Sequence, residues 1–296
     1  MGISLAGVFP PLVTTFAADG DLDLGAYAAN LDRYAEVPLA GYVALGTTGE
    51  FPHLDRRERE AVIAATVAGA RGRPVIAQVG SASLRETADL ARAAADLGAA
   101  AVLAVTPHYY KSQMSDQALL AFYTQLADRS PLPVLIYNIP QNTGVNVSPR
   151  AVAEAARHPN LVGMKDSGGN LAQLTDILDR TPSGWALFNG SAAIISAAAA
   201  AGVPGAILAV ADAFPDAVTQ LWQLCGAGQW AAAFALERRL RPLLRAISGT
   251  GVAGVKYAMD RLGWQGGSPR SPLLPLDAER QAQVTAALEQ AGLLSA

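Results

Sequence analysis

The sequence is short of several things, and each shortage closes off a class of function. Among 296 residues there is one cysteine, Cys225. That excludes a disulfide framework and a cysteine-ligated metal site, and it suits a reducing, cytoplasmic setting. The three histidines, His53, His108 and His158, are not spaced with carboxylates as metal ligands are. Charged residues make up only 16% of the chain and the formal net charge is −3, so there is no basic excess for nucleic acid to bind. No apolar run reaches the roughly 20 residues of a membrane span. The N-terminus lacks the basic-then-apolar pattern of a secretory signal. Neither a P-loop nor a Gly-x-Ser-x-Gly elbow occurs. A soluble enzyme with no metal, no organic cofactor, no nucleic-acid partner and no membrane attachment is the working expectation.

What the chain has is a 51% hydrophobic content arranged in a rhythm. Short, continuously apolar runs occur at Val8–Val13, Gly41–Leu45, Pro74–Val79, Ala100–Val105, Pro133–Tyr137, Leu161–Lys165, Ala186–Phe188 and Gly205–Val210. They recur every twenty to thirty-five residues or so, as repeated βα units do. Continuous rather than alternating apolarity is expected of parallel strands covered on both faces. Amphipathic stretches lie between them, and Asp55, Ser83, Ser115 and Ser148 stand where N-caps belong. No Gly-x-Gly-x-x-Gly follows the first strand, which weakens an open dinucleotide-binding sheet. Eight units predict a (β/α)8 TIM barrel over residues 1–225. After the eighth run only helical patterns follow, which predicts a helical C-terminal extension over 226–296.

In such a barrel the chemistry sits at the C-terminal ends of the strands. Lysine is scarce here, occurring only as Lys111, Lys165 and Lys256, and Lys165 closes an apolar strand. Burial there disfavours the ammonium and leaves a nucleophilic amine; the alternative is a lysine paired with Asp166 or another carboxylate. Tyr137 closes the preceding strand, so the two side chains can meet at one rim and the phenol can move protons for the amine. The loop Gly46-Thr47-Thr48-Gly49-Glu50 follows the second strand. Its glycines let backbone N–H groups turn inward and its hydroxyls add donors, which makes a nest for a carboxylate or phosphate. Glu50 fits orientation of this loop better than chemistry. Tyr109-Tyr110 after the fourth strand offers either a hydroxyl or aromatic packing at a subunit contact.

Taken together, Lys165, Tyr137-Asn138-Ile139-Pro140, the Gly46–Glu50 loop and Tyr109-Tyr110 resemble the dihydrodipicolinate synthase / N-acetylneuraminate lyase family. The resemblance runs over nearly the whole chain. It implies a class I aldolase in which Lys165 forms a Schiff base with pyruvate or another 2-oxo acid, with the imine on Lys165 serving in place of any cofactor. It implies Tyr137 as proton shuttle and Thr47 as a link from Tyr137 to a second tyrosine, Tyr110, reached from a neighbouring subunit. Thr47, Thr48 and Gly49 would hold the acid's carboxylate, Ile207 would line the lysine pocket, and Ser167 and Asn142 would complete the substrate contacts. A homotetramer built as a dimer of dimers is also implied.

The departures bear on the substrate. Dihydrodipicolinate synthases of this family carry an arginine two residues after the proline of Tyr-Asn-x-Pro, and here that position is Asn142. A neutral amide cannot replace a bidentate, charge-assisted contact. Gly49-Glu50-Phe51-Pro52, Asn142-Thr143-Gly144 and the stretch from His158 to Gly169 resemble the 4-hydroxy-2-oxoglutarate aldolase branch. The expectation is therefore cleavage of 4-hydroxy-2-oxoglutarate to pyruvate and glyoxylate. Dihydrodipicolinate synthesis is the runner-up, and a dehydratase or aldolase acting on a sugar-derived 2-oxo-3-deoxy acid comes third. A silent 2-oxo acid binding barrel is the non-enzymatic alternative.

Overall fold

The computed structural model describes residues 5–294. In chain order the elements are β1 (Gly7–Phe9), α1 (Leu24–Tyr34), β2 (Tyr42–Ala44), α2 (Arg56–Gly69), β3 (Val75–Gln78), α3 (Leu84–Asp96), β4 (Ala101–Val105) and α4 (Asp116–Arg129). Next come β5 (Val134–Asn138), α5 (Pro140–Thr143), α6 (Pro149–Ala155), β6 (Leu161–Asp166), α7 (Leu171–Arg180), β7 (Ala186–Asn189), α8 (Ile195–Ala200) and β8 (Gly205–Ile207). The chain ends in α9 (Val210–Ala213), α10 (Pro215–Gly226), α11 (Trp230–Ser248), α12 (Gly251–Arg261) and α13 (Ala278–Gln290). The eight strands make one sheet in the order β1-β8-β7-β6-β5-β4-β3-β2. That is the sequential order of a (β/α)8 barrel, the expected fold, with the expected C-terminal helices after it. No helix among the described residues is long and apolar enough to cross a membrane.

The helices begin where the sequence places their caps. Asp55 and Glu58 form a reciprocal capping box on α2, while Ser83, Ser115 and Ser148 accept the N–H of Glu86, Ala118 and Ala151. Each such cap contributes about 1 kcal/mol. β1 and β8 fall furthest short of their apolar runs. β1 stops at Phe9 because Pro10 and Pro11 have no N–H to give a ladder. β8 stops at Ile207, and Val210 already opens α9; apolarity alone does not separate a buried strand from a buried helix turn. The short helices α8 and α9 have no separate signature in the hydrophobic pattern for the same reason, and α5, four residues long, is too short to show a helical period.

The described residues form two compact units, one of 5–7 with 74–207 and the other of 8–73 with 208–294. The first carries β3 to β8, each strand parallel to the next. Its strand residues are buried almost throughout, as the continuous apolar runs require. The second unit packs α1, β2 and α2 with the C-terminal helices. There Tyr34 stacks on Trp264 with ring centroids 4.4 Å apart, and its hydroxyl donates to Asp212 O at 2.7 Å.

Candidate active site

In the first unit the ladder register builds the site. Tyr137 pairs with Lys165, Lys165 with Phe188 and Phe188 with Gly205, so one row crosses β5 to β8. Lys165 is 4% exposed and Tyr137 1%, and Lys165 Nζ lies 4.3 Å from the Tyr137 ring centroid. Gly190, just past β7, leaves room for the lysine stem: a Cβ there would stand 3.1 Å from Lys165 Cε and collide with Ser167 Oγ. Ile207 ends β8 two residues beyond Gly205 and is fully buried, on the same face by the period of two.

Asp166 is not the partner of Lys165. Its carboxylate accepts Gly168 N–H at 2.6 Å, Gln173 Nε2 at 2.8 Å and Asn138 Nδ2 at 3.3 Å. Asn138 donates in turn to Asn146 Oδ1 and accepts Val147 N–H. These bonds tie β5, β6, α7 and the chain after α5 together one register step beyond the row that holds Lys165. Ser167 is buried, and its N–H donates to Asn138 O at 2.9 Å.

The rim loops of this unit are open. Tyr110 is 65% exposed and Tyr109 77%, and the two rings meet edge-on at 5.1 Å. The structure thus places Tyr110 in solvent, packed on Tyr109. Asn142 lies exposed on α5. The loop after it is tied by Thr143, whose hydroxyl donates to Ile139 O and accepts Val145 N–H, so Thr143 and not Asn142 caps the turn. The Lys111 side chain lies alongside: a Cβ on Gly144 would stand 3.2 Å from Lys111 Cδ and 3.8 Å from its Nζ.

In the second unit the Gly46–Glu50 loop is held from several sides. Its two boundary residues, Leu45 (φ 62°) and Glu50 (φ 54°), both take the left-handed conformation that non-glycine residues avoid. Glu50 N–H donates to Thr47 O, closing a turn, and the Thr14 hydroxyl donates to Gly49 O at 2.6 Å. Gly49 must be glycine, since a Cβ would lie 2.9 Å from Leu12 O. Thr48 is buried and Thr47 half-buried. The Glu50 side chain turns inward: Oε1 is 2.6 Å from Lys256 Nζ, and Oε2 accepts Arg270 N–H at 2.9 Å and lies 3.2 Å from His53 Nδ1. Burial pushes the Lys256 ammonium below the usual lysine range, and the Glu50 charge opposes that shift.

Residues 4–291 match the model of the dihydrodipicolinate synthetase family. The chain belongs to that family. A 4-hydroxy-tetrahydrodipicolinate synthase of Roseobacter denitrificans is 38% identical over 98% of this chain and 99% of its own. Another, of Rhizobium meliloti, is 36% identical over 98% and 99%. The dihydrodipicolinate synthase structure of Thermotoga maritima superposes with a TM-score of 0.94 at 31% identity, covering 98% of this chain and 100% of that one. A solved monomeric dihydrodipicolinate synthase variant gives 0.93 at 31%, covering 99% and 98%.

Membership in the dihydrodipicolinate synthetase family makes the chain an enzyme of the class I, Schiff-base aldolase type. These relatives carry the synthase name, which was the runner-up in the sequence; the 4-hydroxy-2-oxoglutarate branch gains no support from them. What the sequence reading missed is the Lys256–Glu50–Arg270 cluster. A signal was present, because Lys256 is buried on α12 together with Val255, Ala258 and Met259. A lysine in such company needs a buried anion.

Proposed function

We propose that the protein is a pyruvate-dependent lyase whose Lys165 amine attacks the keto carbon of pyruvate, expels water and leaves an imine. The observation that carries this reading is the direct register of Tyr137 with Lys165, both buried, with the amine over the phenol ring. The iminium draws electrons from the methyl carbon, which then loses a proton and attacks an aldehyde; cleavage is the reverse. Tyr137 is the group to carry protons through carbinolamine formation and collapse. By family resemblance Thr47, Thr48 and Gly49 take the acid's carboxylate, and no metal or organic cofactor takes part. Tyr110, exposed in the single chain, would serve in a neighbouring subunit of a dimer of dimers.

For the second substrate the relatives' names favour aspartate semialdehyde, condensed with pyruvate to 4-hydroxy-tetrahydrodipicolinate. A second reading, cleavage of 4-hydroxy-2-oxoglutarate, is favoured by Asn142 where synthases carry arginine. Borohydride reduction in the presence of pyruvate, read by peptide mass spectrometry, tests the shared step. The adduct should appear on Lys165, and a barrel that only binds 2-oxo acids would gain no mass. Running condensation and cleavage on one preparation then ranks the two readings.

A further inference from the structure

Lys256 is fully buried, carries a charge, and has no part in the chemistry proposed above. Its ammonium is 2.6 Å from Glu50 Oε1, donates to Ser268 O at 3.1 Å and stands 4.6 Å from the centroid of the Phe16 ring. Arg270 closes the other side. Its N–H binds Glu50 Oε2, its guanidinium donates to Gly20 O, His53 O and both oxygens of Glu58, and its plane covers Phe16 at 4.3 Å. The Glu50 carboxylate is thus gripped by α12 and by the segment after it. Glu50 is also the left-handed residue that ends the Thr47–Glu50 turn.

A pair desolvated this fully gains little stability over an apolar pair of the same shape. What it supplies is a fixed geometry, because the buried carboxylate is held by the Lys256 charge against Oε1 and by the Arg270 N–H on Oε2. We propose that Lys256, acting through Glu50, is a positioning residue for the Thr47-Thr48-Gly49 nest, so that the C-terminal helices set the shape of the carboxylate site. This rests on the reading that the nest holds the 2-oxo acid carboxylate. A loop already in shape binds without a further ordering cost, so loss of the grip is felt in affinity for pyruvate and not in the chemistry at Lys165.

The test uses the full chain, with pyruvate as probe and borohydride trapping at Lys165 as readout. Lys256→Met should raise the pyruvate concentration for half-maximal trapping at least tenfold while leaving the maximum within twofold. Glu50→Gln/Lys256→Met removes both buried charges; it should recover most of the lost thermal stability, yet keep half-saturation at least fivefold raised. A purely structural pair behaves otherwise: stability and half-saturation recover together in the double variant, and that result overturns the proposal. If Lys256→Met fails to fold, the double variant alone decides. Thr48→Val separates the two layers of argument. Unchanged half-saturation in Thr48→Val removes the nest reading and the proposal with it. A raised value there beside an unchanged one in the double variant removes only the proposal.

Discussion

Lys165 faces Tyr137 because of one extra residue. The β5–β6 ladder pairs Val134 with Leu161 and then Leu135 with Gly163, skipping Val162. Without that bulge Tyr137 would stand opposite Met164, and Lys165 would be turned to the other face of the sheet. Bulges recur beside active sites because they re-aim a side chain. Here the bulge aims the one lysine whose amine lies over a buried phenol.

The first prediction concerns that lysine. Lys165→Arg keeps a long basic side chain and should keep the fold, but guanidinium stays protonated and makes no imine. Borohydride with pyruvate should label wild-type Lys165 and leave Lys165→Arg unlabelled. An adduct on Lys111 or Lys256 in either protein, found by peptide mapping, would refute the assignment.

Tyr137→Phe removes a hydroxyl from a fully buried ring without changing its packing. Turnover should fall about a hundredfold or more, the usual contribution of a positioned acid–base group, while circular dichroism and melting temperature stay near wild type. Turnover within a few-fold of wild type would take the proton shuttle away from Tyr137.

The barrel and this pair were legible because both rest on local signals. Eight apolar runs followed by capped helices define the fold, and a lysine ending one strand beside a tyrosine ending another defines the pair. The ends of β1 and β8 were not legible, since consecutive prolines and a change from strand to helix leave the apolar pattern unbroken. The bulge at Val162 was invisible as well, because Leu161-Val162-Gly163-Met164 reads as one run whatever its register. The Glu50–Lys256 pair depends on contacts distant in sequence, and only the misfit of a lysine among Val255, Ala258 and Met259 announced it.

Gly190 allows a third test. An added methyl would press on Asp166 O and Lys165 Cε, each 3.1 Å away, and displace Ser167 Oγ. Gly190→Ala should therefore move the lysine stem by a few tenths of an ångström and slow pyruvate trapping by roughly tenfold, since sub-ångström misplacement already costs rate. The melting temperature should fall by only a few degrees. Unchanged trapping kinetics would show that the stem has freedom to spare.

The pH dependence of stability should register Glu58. Hydrogen bonding to the Arg270 guanidinium holds its carboxyl below the usual carboxylate range, against the opposing effect of burial. A depressed folded value means that this stabilisation is complete above the unfolded pKa and is lost as pH falls through the folded one. Urea unfolding at a series of pH values should show a loss in that acid window. Glu58→Gln should lack that component and be less stable by about 1 kcal/mol at neutral pH. A variant with the same acid slope as wild type would exclude Glu58 as its source.

The last prediction concerns the cation nearest Asn142, Lys111. Aspartate semialdehyde carries a carboxylate, and so does the distal end of 4-hydroxy-2-oxoglutarate. Either would leave a charge in a partly dry site, at a cost of several kcal/mol unless a cation meets it. Asn142 offers none, but the Lys111 ammonium lies beside Gly144, two residues further along the same loop. Lys111→Met should therefore raise KM for the second substrate at least tenfold, about 1.4 kcal/mol, while pyruvate trapping at Lys165 is unchanged. Adding Asn142→Arg to Lys111→Met should restore much of that loss, because a guanidinium two residues from Gly144 can reach the same carboxylate as a bidentate donor. The rescue should be larger for aspartate semialdehyde if condensation is the physiological reaction, and larger for the hydroxy-oxo acid if cleavage is. A KM unmoved by Lys111→Met for both substrates would show that the carboxylate is compensated by another group.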